Sequence, residues 1–129
     1  MKDRTLTNLK ISRLYAITPD LENTDDLLSR AQQVLEGGAR LIQYRNKLAD
    51  DILLREQAKL LLQLCGEYQI PLIINDHLDL AIEIDADGLH VGQDDVSVAE
   101  ARNQLGWNKI IGVSCYNDLD LALQAEKDG

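Results

Sequence analysis

The stretch Pro71–Gly92, PLIINDHLDLAIEIDADGLHVG, decides the fold class. Its two ends, Pro71–Asp76 and Gly88–Gly92, are short and almost continuously apolar, which is typical of strands that are covered on both faces. The mixed segment His77–Ile84 between them has room for about two helical turns. A strand, a short helix and a second strand in this order predict two parallel strands joined by a right-handed crossover.

The same alternation continues on both sides of this stretch. Further strands are predicted at Arg13–Thr18, Arg40–Arg45 and Ile110–Cys115. The predicted helices are a run that starts at an N-cap on Thr24 and ends at Gly37 and Gly38, then Asp50–Tyr68, Ser97–Leu105 and Asn117–Lys127. Five strand–helix units in succession predict an α/β fold with a parallel sheet. We expect residues 1–12 to be a polar lead-in and residues 13–129 to form one domain.

Two parallel architectures fit this alternation. One is an open, doubly wound sheet, and the other is a (β/α)₈ TIM barrel. The predicted strands begin about 24 residues apart on average, so eight units would need about 194 residues, near the lower end for barrels. The sequence contains five units, and periodicity alone leaves the choice open.

Composition narrows the class of protein and of ligand. The 129 residues include 13 Lys and Arg against 22 Asp and Glu, a formal net charge of -9, and 45% are apolar. This balance argues against nucleic-acid binding through a basic face, and no apolar run approaches the roughly 18–20 residues that span a membrane. Cys65 and Cys115 are expected to be buried free thiols, which fits a cytoplasmic protein. A phosphate ligand would need a local cluster of cations or a bridging metal.

Polar residues follow four of the predicted strands, where parallel α/β proteins bind their ligands. Gln43, Arg45 and Lys47 are spaced by two, so in extended chain they point to one side. Two cations and an amide together suit a polyanion such as a diphosphate. A solvated strand end with surface charges is the alternative.

Two carboxylates in the same region are candidate Mg²⁺ ligands. Asp76 ends an apolar strand, and Asp95 follows the next strand along the chain. Mg²⁺ is commonly held by one or two carboxylates together with substrate phosphates and water. The alternatives are a helix N-cap for Asp76 and a turn or N-cap position for Asp95. Ser114 has no neighbouring base to make it a nucleophile and is expected to hydrogen-bond a substrate, while His90 fits a core position as well as a catalytic one.

Five segments together closely resemble the thiamine-phosphate synthase family, from about residue 13 to residue 129. No dinucleotide-binding, Walker A, CxxC or HExxH motif competes with this match. The matching segments are LYAITPD (Leu14–Asp20), GGARLIQYRNK (Gly37–Lys47), PLIINDHLDLA (Pro71–Ala81), DADGLHVGQDD (Asp85–Asp95) and IGVSCYN (Ile111–Asn117). The resemblance implies a (β/α)₈ barrel, of which this chain holds about the first five βα units.

The resemblance also implies a reaction and a set of site residues. The family joins hydroxymethylpyrimidine diphosphate to a thiazole phosphate, giving thiamine monophosphate and pyrophosphate, with Mg²⁺ as cofactor. The diphosphate departs first, and the thiazole nitrogen captures the pyrimidine carbocation, so no further catalytic residue is implied. By family match, the residues that bind substrate are Gln43, Tyr44, Arg45, Asn46, Lys47, Asn75 and Ser114, and the metal ligands are Asp76 and Asp95.

The family's segments for the thiazole phosphate are expected after Gly129. The chain is therefore expected to carry the diphosphate and metal site without the second substrate's site. A thiazole tautomerase-like relative is one alternative, although Gln43, Arg45, Lys47 and Ser114 favour the synthase. A non-catalytic binding or assembly fragment is another. Small-molecule substrates are the expected partners, and the bare edges of the first and fifth strands predict a homo-oligomer.

Overall fold

The computed structural model describes residues 14–129, in which five strands alternate with five helices. The strands are β1 (Tyr15–Ile17), β2 (Leu41–Tyr44), β3 (Leu72–Asn75), β4 (Gly88–Val91) and β5 (Ile110–Val113). The helices are α1 (Thr24–Glu36), α2 (Asp51–Glu67), α3 (Leu78–Glu83), α4 (Val98–Leu105) and α5 (Leu119–Asp128). The predicted α/β class is confirmed, and the lead-in predicted for residues 1–12 lies outside the described residues.

The strands form one parallel sheet in the order β1-β2-β3-β4-β5. A doubly wound sheet reverses its strand order at a switch point, and the described strands show no such reversal. Because every strand runs in the same direction, all five carboxyl ends meet at one edge. We call this edge, with the loops that follow it, the carboxyl edge.

The two faces of the sheet are packed differently. Strand residues such as Ile42, Ile74 and Leu89 share one buried cluster with side chains from α1 to α4. On the other face, Leu41, Ile73 and Ile110 form a separate cluster that contains no residue of a described helix. The described helices therefore cover one face of the sheet. On the second face, side chains line up in rows that run toward the carboxyl edge.

The N-cap of α1 is Asn23, so the cap predicted at Thr24 is wrong. Asn23 has extended backbone angles, and its side chain accepts a hydrogen bond from the N–H of Asp26. Thr24 is already helical, and its hydroxyl oxygen instead accepts a bond from Gln57 Nε2 at 3.3 Å. Two adjacent residues with good capping side chains made this assignment ambiguous from sequence.

The two cysteines differ in burial. Both are free, and Cys65 is fully buried in α2, as predicted. Cys115 is only partly buried because it follows β5 at the carboxyl edge, which corrects the expectation for this residue. Within residues 14–129, the helices are all too short or too polar to cross a membrane.

Candidate functional site

The cationic residues of the segment after β2 lie at the carboxyl edge and are partly exposed. The Arg45 guanidinium is 3.5 Å from an Asp20 carboxylate oxygen, and the Lys47 ammonium is 2.7 Å from a carboxylate oxygen of Asp76 after β3. Gln43 is buried, and its amide donates to the Tyr15 hydroxyl of β1 at 2.9 Å. The Lys47 side chain therefore reaches Asp76, whereas the Gln43 side chain is held by Tyr15 of β1.

Two residues of the loop after β1 hold the backbone of this cationic segment. The Thr18 hydroxyl accepts from the N–H of Arg45 at 3.0 Å and donates to the carbonyl of the same residue at 3.1 Å. One oxygen of Asp20 accepts from the N–H of Lys47 at 3.0 Å. No local sequence pattern singles out Thr18 or Asp20, because their partners lie 25 to 27 residues away along the chain.

Tyr44 and Asn46, which the family resemblance included in the substrate segment, point away from the carboxyl edge. Both are buried, and both donate to the Gln57 side-chain oxygen on α2, Tyr44 from its hydroxyl at 2.7 Å and Asn46 from its amide at 2.9 Å. Gln57 in turn donates to the carbonyl of Leu21 at 3.0 Å. These side chains do not converge with Arg45 and Lys47; they anchor the segment that carries them.

Asp76 is held in an unusual backbone conformation. Its φ is 65°, in the left-handed region that few non-glycine residues adopt, and Asp is among those that tolerate it. The Asp76 N–H donates to the carbonyl of His90 at 2.8 Å, which ties this turn to β4. The N-cap of α3 is His77, so the carboxylate of Asp76 is not used as a cap.

Charges around Asp76 set its ionisation. Burial raises its pKa, but hydrogen bonds with Lys47 and Asp95 and the charges of Lys47 and His77 outweigh burial, so the pKa lies below its ordinary value. Asp95 is among the groups that lower the pKa of Asp76, so the carboxyl groups after β3 and β4 are neighbours. Asp76 is therefore held as a carboxylate beside a second carboxyl group.

Asp95 occupies a turn rather than a helix cap. Its carboxylate accepts from the N–H of Gly92 at 2.7 Å, and the N-cap of α4 is Ser97. Across residues 14–129, His, Cys, Asp and Glu form no group of three or more that could hold a metal ion. Two neighbouring carboxylates still match the donor set of Mg²⁺, which takes oxygen ligands and usually completes its shell with phosphates and water.

A row of side chains crosses β3, β4 and β5 beside these carboxylates. Asn75 is aligned with His90, and His90 with Gly112, in the parallel register. The His90 Nε2 atom lies 2.9 Å from the Ser114 hydroxyl oxygen. Burial lowers the pKa of His90, although the charges of Asp76 and Asp95 act in the opposite direction. The sequence does not decide between a core and a catalytic role for His90. In the structure, His90 lies at the carboxyl edge and is bonded to Ser114.

Comparison with known proteins identifies the family. The family described as thiamine monophosphate synthase matches residues 14–129. This chain belongs to that family. Among curated members, the thiamine-phosphate synthase of Nitrosomonas eutropha is 57% identical over 129 residues, covering 100% of this chain and 61% of that protein. The thiamine-phosphate synthase of Nitrosospira multiformis is 51% identical, covering 93% of this chain and 51% of that protein.

Solved structures agree with the assignment to the thiamine monophosphate synthase family. The thiamine phosphate pyrophosphorylase of Pyrococcus furiosus superposes with a TM-score of 0.79 at 38% identity, covering 91% of this chain and 56% of that chain. A putative dihydrodipicolinate synthetase from Pseudomonas aeruginosa, at 16% identity and a TM-score of 0.58, shares the fold alone. The chain spans about half to three-fifths of the length of the curated relatives it matches. The sequence-based family prediction is confirmed.

Proposed function

We propose that this chain provides the diphosphate and Mg²⁺ site of a thiamine-phosphate synthase. In this reaction hydroxymethylpyrimidine diphosphate and a thiazole phosphate form thiamine monophosphate and pyrophosphate. Membership of the thiamine monophosphate synthase family supports the proposal. The single structural observation that carries it is the meeting of Lys47 with Asp76, beside Asp95, at the carboxyl edge.

The cations suit the departure of a diphosphate. As the bond between the pyrimidine methylene carbon and the bridging oxygen breaks, the electron pair leaves with the diphosphate. Arg45 and Lys47 are placed to offset that negative charge, Arg45 through a planar fork and Lys47 as a point charge. The thiazole nitrogen then forms the new bond to carbon, so the protein needs no nucleophile of its own.

The acidic residues suit the metal that accompanies a diphosphate. Asp76 and Asp95 would hold Mg²⁺, which neutralises phosphate charge when it is bound. Asn75 directly precedes Asp76, Ser114 is bonded to His90, and both are proposed to hydrogen-bond the substrate. Gln43, Tyr44 and Asn46 are proposed to act by holding the substrate-binding segment in place, since their side chains bond to Tyr15, Gln57 and Leu21.

The test is an assay of the purified chain with both substrates. We expect Mg²⁺-dependent binding of hydroxymethylpyrimidine diphosphate, which chelation of the metal abolishes, and any turnover should release thiamine monophosphate and pyrophosphate in equal amounts. Binding of hydroxymethylpyrimidine diphosphate with no product when thiazole phosphate is supplied would instead identify a non-catalytic binding fragment. Conversion of a thiazole substrate without pyrophosphate release would identify a tautomerase-like relative.

For the architecture, we propose the (β/α)₈ barrel type over residues 13–129. Sequential strand order and helices packed on one face support this choice over a doubly wound sheet. We also propose that the described edges β1 and β5, with exposed Tyr15 and Ile17 on β1, associate with a second copy of the chain. A monomer in light scattering at micromolar concentration would contradict the association.

The proposed setting is the cytoplasm, with small-molecule substrates as partners. Both cysteines are free, which fits a reducing compartment. The net charge of -9 opposes nucleic-acid binding.

A further inference from the structure

The contact between His90 and Ser114 joins two strands at the carboxyl edge. His90 Nε2 and the Ser114 hydroxyl oxygen are 2.9 Å apart and partly buried. Either atom can be the donor, depending on which ring nitrogen carries the proton. The direction of this bond decides whether the Ser114 hydroxyl can donate its proton to a ligand.

The other ring nitrogen is in an unusual position. Nδ1 of His90 is buried and has no hydrogen-bond partner among residues 14–129. It faces Gly112, where an added Cβ would lie only 2.7 Å from Nδ1. Any side chain at residue 112 would push the imidazole ring away, so glycine is needed there for space.

These surroundings favour an Nδ1 without a proton. A proton on Nδ1 would be a buried donor with no acceptor, and buried N–H groups without partners are rare because they are costly. The hydrogen that Gly112 carries in place of Cβ also points toward Nδ1, where a second hydrogen would meet it. The proton of the neutral ring is therefore on Nε2, and Nε2–H is the donor to Ser114.

We propose that His90 is a positioning residue that donates from Nε2 to the Ser114 oxygen and leaves the Ser114 proton free to hydrogen-bond a phosphate oxygen of the ligand. The direction of the bond follows from the described residues alone. The phosphate acceptor rests on the proposed function of this edge as a diphosphate site. We also assign a role to Gly112, because the lack of a side chain there leaves room for the His90 ring to reach Ser114.

The first test measures the ring directly in the unliganded 129-residue chain. The sequence has two histidines, so ¹⁵N NMR of the imidazole nitrogens, with His77→Gln for assignment, isolates the signals of His90. We expect a protonated Nε2 and an unprotonated Nδ1. A protonated Nδ1, or an average of the two tautomers, would overturn the proposal.

Gly112→Ala gives a matched perturbation of the same ring. The added methyl group should displace His90 and abolish the single-tautomer signature. Gly66→Ala is the control, because a Cβ at Gly66 in α2 meets nothing within 4 Å. A wild-type His90 spectrum in Gly112→Ala would contradict the role assigned to Gly112.

The second test measures binding of inorganic pyrophosphate with Mg²⁺ by calorimetry. His90→Met removes the donor at similar side-chain length, whereas His90→Gln keeps an N–H donor near the position of Nε2. We expect the dissociation constant to rise about three- to tenfold in His90→Met and to return to within about twofold of wild type in His90→Gln. In His90→Met/Ser114→Ala we expect no further loss beyond Ser114→Ala alone.

The outcomes separate this proposal from the proposed function. Equal losses in His90→Gln and His90→Met, or additive losses in the double variant, would refute the role of the Nε2 donor. Failure of the wild-type chain to bind pyrophosphate would refute the diphosphate site and the phosphate acceptor with it. The NMR measurement would still decide the direction of the bond between His90 and Ser114.

Discussion

The ammonium nitrogen of Lys47 lies 2.7 Å from the carboxylate of Asp76, joining the loop after β2 to the turn after β3. The side chains are 51% and 23% exposed, respectively, so the pair adds little to stability, since exposed ion pairs contribute about 0–1 kcal/mol. Its significance lies in position. The cation proposed to bind phosphate and the carboxylate proposed to bind the metal are held in contact at the edge where parallel α/β proteins bind ligands.

Asp76→Asn tests the metal assignment. Asparagine keeps the size of the side chain and tolerates a φ of 65°, so we expect the fold to be retained. Loss of the carboxylate should weaken Mg²⁺-dependent binding of hydroxymethylpyrimidine diphosphate about tenfold or more. Asp94→Asn is the matched control, because Asp94 is an exposed neighbour of the second proposed ligand, Asp95. Equal effects of the two substitutions on calorimetric binding would remove Asp76 from the metal site.

Arg45→Ala tests the anion-binding segment. The guanidinium is 41% exposed and 3.5 Å from Asp20, a weak pairing that leaves it able to bind a diphosphate. We expect a loss of about 1.5–3 kcal/mol in diphosphate binding, the range for a hydrogen bond to a charged group. Arg40→Ala removes the same charge at the opposite end of β2 and should leave the dissociation constant unchanged. An unchanged constant in Arg45→Ala would make Arg45 a surface charge.

Gln57→Leu tests the anchor beneath that segment. The substitution removes the acceptor of Tyr44 and Asn46 and leaves the buried Tyr44 hydroxyl without its partner. We expect unfolding in urea, followed by circular dichroism, to show a loss of about 2–4 kcal/mol in the free energy of unfolding. Gln63→Leu, on the exposed side of the same helix, should change it by less than about 0.5 kcal/mol. Similar values for both variants would show that the buried network is not a source of stability.

Thiol labelling tests the difference between Cys65 and Cys115. Burial, with a smaller effect of the Asp87 charge, raises the pKa of Cys65 from 9.0 to about 12. An aromatic disulfide reagent should therefore modify one thiol per native chain and two in urea, and Cys115→Ser should abolish the native reaction. A native reaction that is lost instead in Cys65→Ser would contradict the burial of Cys65.

The raised pKa of Cys65 predicts that the stability of the folded chain depends on pH. In the unfolded chain the Cys65 thiol ionises near its ordinary pKa of 9.0, while in the folded chain it stays protonated up to about 12. The unfolded state thus binds fewer protons between these values, so the contribution of Cys65 to stability is full below pH 9 and is lost as pH rises toward 12. Cys65→Ser should reduce this alkaline loss in urea titrations, and an identical alkaline profile would contradict the shift.

Local patterns predicted most of the fold. The apolar runs gave each described strand to within about two residues, because buried parallel strands are short and continuously apolar. The parallel direction then predicted that Lys47 and Asp76 lie at the same edge, and the structure places them in contact.

Contacts between distant segments were not predictable from the sequence. Gln57 is a polar residue on a buried helix face, which signals a buried partner, yet nothing local identifies Tyr44 as that partner. The roles of Thr18 and Asp20 depend in the same way on the loops after β1 and β2 being adjacent. The space at Gly112 also becomes visible only when β4 and β5 are aligned.

The most direct measurement is a calorimetric titration of the chain with hydroxymethylpyrimidine diphosphate, with and without Mg²⁺. We expect binding that requires Mg²⁺ and that Asp76→Asn weakens. A folded sample that does not bind, or that binds equally well without Mg²⁺, would contradict the assignment of the carboxyl edge as a diphosphate and metal site.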